Sequence, residues 1–429
     1  MNDAIASVHG RRVWDSRGRP TVEVEVALAG GVVGRAIAPA GASTGSAEAV
    51  DRRDGGEAFG GYDVRDALAA VDGEIADLLR GRSVTDQVGI DTAIIELDGT
   101  PNRSRLGGNA LVATSMAVAH AAACAQGVPL WRYLAGERRK LLMPLPEIQI
   151  FGGGAHAGRR VDVQDFMVIA VGAGSYAQAL DWTAEVYRAA GLIMADAGLL
   201  QGVADEGGYW PAFTSNEQAL DFLVRAIERA GFIPGDDLAI SLDIAATDFG
   251  RDGRYRLARD DREVDADGLA EMLLGWLARY PIVAIEDPLG EDDATALARF
   301  TAAAGPRVEV IADDFICTNA QRIRDGAALG ACNTALIKPN QAGTLTETRT
   351  AFDAAREVGW ESVVSARSGE TEDVTIVHLA VGWGARQLKV GSFTRSERMA
   401  KWNEGLRIAE ALDQDGGRLA PRSSFPWGC

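Results

Sequence analysis

The sequence predicts an α/β protein in which a (β/α) barrel follows a smaller α+β unit. Three observations predict it. The later part of the chain repeats short apolar runs, LAISLD, PIVAIED, VEVIADD, TALIKPN, ESVVSARSG and QLKVGS, most of them leading into a helical stretch. Strands buried on both faces of a parallel sheet read as apolar runs of this kind. The earlier part instead reads strand, strand, then helices, which suits an α+β unit. Finally, the 50 glycines cluster after apolar runs, as tight strand-to-helix turns require.

In the first unit, TVEVEVAL alternates like a half-buried strand, and VVGRAIAP follows a turn at Gly30 and Gly31. VRDALAAVDGEIADLL reads as a helix, and the Ala-rich NALVATSMAVAHAAACAQ, apolar nearly all round, reads as a buried one. The unit is expected to close near residues 136–140, which divides the chain into residues 1–138 and 139–429. That 429 residues should form two domains agrees with ordinary domain sizes.

With 43 Lys and Arg against 61 Asp and Glu, the net charge is -18. A nucleic-acid or membrane-surface binder carries the opposite balance, so neither partner is expected. Cys124, Cys317, Cys332 and Cys429 lack CxxC spacing and read as small buried residues or a terminal thiol. The first residues show no basic segment followed by an apolar stretch, and no apolar run reads as long enough to span a bilayer. A cytoplasmic protein is the expectation.

A barrel of this kind carries its chemistry at the C-terminal ends of its strands. Here those ends bear Asp243, Glu286, Asp313, Lys338, Arg367 and Lys389. One such charge alone would read as a helix cap or a surface group. The succession reads as a site. Asp243, Glu286 and Asp313 are carboxylates that repel one another unless they share a cation, and all-oxygen ligation favours Mg²⁺. Lys338, beside a dication and other cations, is expected to have a depressed pKa and to act as a base. Arg367 and Ser368 offer a fork and a hydroxyl to a phosphate or phosphonate, and Lys389 offers a charge to a carboxylate. The implied substrate is a small acid with at least two negative groups.

Three loops add candidates. AGASTG, residues 40–45, reads as a mobile lid or metal-contacting loop holding Ala42 and Ser43. GGGAHAG sets His156 among glycines, as a mobile titratable group. ADEGG sets Glu206 before a glycine pair, where it could serve as a general acid.

PAGASTG, GGGAHAG, VADEGG, SLDIAAT, IEDP, ADDF, LIKPNQAGTLTET, SGETED and RSERMAKWN occur in one order over nearly the whole chain. Together they resemble the enolase family. The resemblance implies an eight-fold TIM-like barrel capped by the N-terminal α+β domain, two Mg²⁺ per site and a homodimer or higher homo-oligomer. It implies that Asp243, Glu286 and Asp313 hold the first metal and that Ser43 reaches the second. Lys338 matches the base and Glu206 the acid, with Gln164 in the site, His156 near the phosphate, and Arg367, Ser368 and Lys389 on the substrate's anionic groups.

Two positions depart from that pattern. Ala366 stands where the family carries His, and Asp165 follows Gln164 where it carries Glu. Both lie on the acid side of the site, and they favour an enolate-forming enzyme with a different second half-reaction. The family that fits this profile is carboxyphosphonoenolpyruvate synthase of phosphonate natural-product biosynthesis. The alternatives are phosphopyruvate hydratase and an enolase-fold binding protein without turnover.

Overall fold

A computed structural model describes residues 3–138, 140–412 and 418–428. Cys429 and one residue of the expected domain boundary, Arg139, lie outside the described residues.

The chain opens with an antiparallel three-stranded sheet, β1 (Ile5–Trp14), β2 (Pro20–Leu28) and β3 (Val33–Ile37). The sequence reading missed β1. Its outward face carries Arg11 and Trp14 instead of a clean alternation, so only Ile5, Val8 and Gly10 are buried. Register is set against β2, with Val8 opposite Val26. The helix Gly108–Ala125 covers this sheet, and nearly all of its residues are buried.

That helix is long and apolar enough to cross a membrane, contrary to the sequence reading, yet most of it is buried inside the protein. Its close fit to the sheet depends on Gly34. An added Cβ there would overlap the Ala121 amide nitrogen and the Ala117 carbonyl oxygen. Gly34→Ala should therefore cost about 1–3 kcal/mol by overpacking, read by urea denaturation. An unchanged midpoint would show that β3 can lift off the helix freely.

The second unit is a closed barrel. Its strands are β4 (Leu145–Gly152), β5 (Asp165–Ile169), β6 (Ala239–Asp243), β10 (Ile282–Glu286), β11 (Glu309–Ala312), β12 (Thr334–Ile337), β13 (Glu361–Ser365) and β14 (Gln387–Ser392). A small separate sheet, β7 (Gly250–Arg251), β8 (Arg254–Leu257) and β9 (Arg262–Asp265), projects between β6 and β10. The six apolar runs of the sequence form β6 and β10–β14, and these pair in parallel.

The start departs from a uniform βα repeat. β5 pairs antiparallel with both β4 and β6. The short Gly-rich connection from β4 to β5 can only return the chain in the opposite direction. As a result the first residue of β5, Asp165, lies level with Asp243, the last residue of β6.

Of the cysteines, Cys317 and Cys332 are buried free thiols, whereas Cys124 is exposed, because it falls on the last turn of its helix.

Candidate active site

The strand ends open into a cleft of about 330 Å³. Ala42, Ser43, His156, Gln164, Asp165, Glu206, Asp243, Lys338, Ala366, Arg367, Ser368 and Lys389 line it. Glu286 and Asp313 lie just beneath, reached through the two lysines. Lys389 Nζ donates to Asp243 Oδ2 at 2.8 Å and to Glu286 Oε2 at 2.6 Å. Lys338 Nζ pairs with Asp313 Oδ2.

Lys389 is not at a strand end. It is the third residue of β14, opposite Ser365 of β13, and its side chain reaches the mouth from within the barrel. Gln164 Nε2 donates to Asp243 Oδ2 at 3.1 Å. The carboxylates crowd one another: burial and the Asp243 charge push Glu286 well above the usual carboxylate range. Lys338 departs from expectation. Burial disfavours its ammonium, but Asp313 and Glu286 together prevail and raise the pKa. A depressed value requires Asp313 to be engaged elsewhere.

The donor set fits a hard divalent cation. Asp243 and Glu286 share the Lys389 ammonium, Asp313 pairs with Lys338, and Glu286 Oε1, though buried, has no hydrogen-bond partner. A bare acceptor of this kind is costly unless something positive completes it.

On the opposite wall, His156 is buried, contrary to the expectation that it is not a core histidine. The short helical turn Gly154–Ala157 seats it between two carboxylates. Its Nδ1 donates to Asp165 Oδ1 at 3.2 Å, and its Nε2 lies 3.7 Å from Glu206 Oε1. Burial works against the imidazolium, but Glu206 and Asp165 prevail and push its pKa up to about 9. Asp165 also accepts from Gln149 Nε2. Burial opposes its ionisation, yet His156 and Lys389 hold it below the usual range.

Because His156 has a folded pKa of about 9 against an ordinary 6.5, its stabilising contribution is complete below about pH 6.5. It is lost as the pH rises through about 9. The stability difference between the wild type and His156→Asn should shrink across that window, by on the order of 3 kcal/mol in total. A pH-independent difference in denaturation midpoints would show that His156 is neutral.

The 40–45 loop is held to the barrel. Ala40 and Gly369 exchange backbone hydrogen bonds, and Arg367 Nη2 donates to the Ser43 carbonyl at 2.8 Å. Arg367 is further engaged by Glu48, whose Oε2 accepts from Nη1 at 2.8 Å and whose Oε1 accepts from Nη2 at 3.2 Å. Glu48 also accepts from Gln341, which in turn donates to Asp313 Oδ1 at 2.9 Å.

Glu48 escaped the sequence reading. Its signal was a lone acid three residues after the AGASTG loop. Asp287 escaped it too. Its carboxylate accepts the backbone N–H groups of Asp313 and Asp314, both at 2.9 Å, and so fixes the backbone of the strand end from which Asp313 meets Lys338 and Gln341.

The comparisons with known proteins agree with this geometry. Residues 5–134 match the family "Enolase, N-terminal domain", and residues 140–422 match "Enolase, C-terminal TIM barrel domain". A curated relative from Acidothermus cellulolyticus, named "Enolase", is 47% identical over 422 residues, covering 98% of this chain and 97% of the relative. Barrel, cleft and matches together define an enzyme of the enolase superfamily, a lyase. The chain belongs to the enolase family.

These matches correct the functional expectation. Near full-length likeness to a protein named "Enolase" overturns the phosphonate-synthase reading that Ala366 and Asp165 suggested. In the structure Asp165 still contacts His156, so the shorter carboxylate keeps its place beside the acid wall. Enzymes of this family are generally Mg²⁺-dependent and act on small phosphorylated substrates.

Proposed function

We propose that the protein is a phosphopyruvate hydratase, interconverting 2-phosphoglycerate with phosphoenolpyruvate and water. The observation that carries this reading is the pairing of two proton-handling walls across one small cleft, Lys338 on one side and Glu206 with His156 on the other. The near full-length relative named "Enolase" supports it.

In this reading Asp243, Glu286 and Asp313 hold one Mg²⁺ and Ser43 reaches a second. The metal supplies Lewis-acid neutralisation of the substrate carboxylate, which makes the proton beside it removable. Arg367, Ser368, Ala42 and Ser43 hold the phosphate, while Gln164 and Lys389 border the carboxylate. Were Asp313 to hold the metal it would no longer balance Lys338, and the neighbouring Arg367 and Lys389 charges, which already disfavour the ammonium, would favour its neutral form.

Neutral Lys338 then takes the proton from C2. The proton shared by His156 and Glu206 goes to the hydroxyl on C3, passed through Glu206 from the imidazolium that Glu206 and Asp165 hold charged. The C2–H and C3–O bonds break, the C2=C3 bond forms, and water leaves. The purified protein should form phosphoenolpyruvate from 2-phosphoglycerate with Mg²⁺ and stop when the metal is chelated. No turnover of 2-phosphoglycerate at any Mg²⁺ concentration would overturn the reading.

A further inference from the structure

A second cavity lies at the other end of the barrel, around the first residues of β13 and the segments entering β4 and β14. It is an open depression of about 910 Å³ including its solvent-filled mouth, against about 330 Å³ for the cleft on the same measure. Its charge is opposite to that of the whole chain. The chain carries -18, yet this cavity is lined by Arg138, Lys140, Arg356 and Arg386 with Glu361 as its single carboxylate.

Glu361 is already engaged by Arg386 Nε at 3.3 Å. Lys140 and Arg356 are exposed and have no acidic partner among the described residues. Burial, then Arg356 and Arg349, disfavour the charged form of Arg138 against the opposing charge of Asp353, and its Nη1 donates to the Trp383 carbonyl. The rest of the wall is apolar, with Leu141, Leu142, Phe352 and Trp360. On its floor Ser362 is buried, and its Oγ has no hydrogen-bond partner.

Uncompensated cations over an apolar wall match a ligand of mixed character. We infer that this cavity binds a phosphorylated organic anion, its phosphates on Arg138, Lys140 and Arg356 and its flat apolar part against Leu141, Leu142 and Trp360. The site lies away from the catalytic cleft and is independent of the proposed hydratase activity.

The test uses the full-length protein in chelator, with adenosine triphosphate and inorganic triphosphate as probes in calorimetric titration. The wild type should bind adenosine triphosphate at least about 10-fold more tightly than inorganic triphosphate, because only the former reaches the apolar wall. Lys140→Glu combined with Arg356→Glu should weaken that binding by about 100-fold or more, while Arg356→Lys largely retains it. Conversion of 2-phosphoglycerate should be unchanged in both variants, which separates this site from the cleft.

Absence of binding in the wild type would overturn the inference. So would binding indifferent to the charge reversal, since the probe would then sit elsewhere. Equal affinity for the two probes would also overturn it, because the apolar wall would contribute nothing.

Discussion

Lys338→Ala is expected to lower conversion of 2-phosphoglycerate and exchange of its C2 proton together, by at least about 10²–10⁴-fold, the usual contribution of one positioned acid or base. Lys338 lines the cleft, is buried there and pairs with Asp313. The substitution also strands Asp313, its ion-pair partner. Breaking a buried pair from one side costs up to about 3–5 kcal/mol, so the metal-free variant should be less stable than the wild type. Mg²⁺ should restore much of that loss, because it gives the stranded carboxylate a new partner. Proton exchange at the native rate in the variant would pass the role to Lys389, which already touches Asp243 and Glu286.

The second large effect is expected at Glu286. Glu286→Gln should weaken Mg²⁺ binding by about 100-fold or more, beyond what loss of an outer partner causes, and activity should fall with it. Metal-free stability should move little. Burial and Asp243 already favour the uncharged form of Glu286, and a neutral amide resembles that form. Calorimetric titration with Mg²⁺ and thermal melts in chelator separate the two effects. Unchanged affinity would remove Glu286 from the metal site. A collapse of metal-free stability would mean that its ion pair with Lys389 is structurally required.

Both variants act on one network. Arg367 is clasped by Glu48, Glu48 meets Gln341, and Gln341 meets Asp313. Asp313 in turn holds Lys338. The N-terminal loop, Arg367 and the floor of the cleft are therefore joined by charge-assisted hydrogen bonds, which are stronger than neutral ones. Asp313 thus touches Lys338 directly and is linked to the loop through Gln341, Glu48 and Arg367.

Much of this was legible in the residues. Parallel strands buried on both faces must be apolar throughout, so β6 and β10–β14 stood out as runs. The polar residue closing each run marked the mouth of the barrel. β1 did not stand out, because a sheet edge facing solvent tolerates Arg11, Arg12 and Trp14 and loses its alternation. His156 was misread for a related reason. Glycines around a residue report backbone freedom, not the burial that distant carboxylates impose. The departures at Ala366 and Asp165 were real features of the chain, but two substitutions weighed too heavily against likeness spread over 98% of it.

The sequence by itself determined the barrel class, the family motifs and the charged strand ends, because strand burial and turn chemistry are written locally. Only the tertiary structure decided which of those charges meet. Asp165 reaches the mouth because β5 runs against its neighbours. Lys389 reaches it from inside a strand, placed level with Ser365 of β13 and Glu147 of β4, with its ammonium among Asp243, Glu286 and Asp165. Glu48 enters the site because its loop docks on Arg367. Strand direction, register and docking are relations between segments far apart in the chain, and local periodicity carries no information about them.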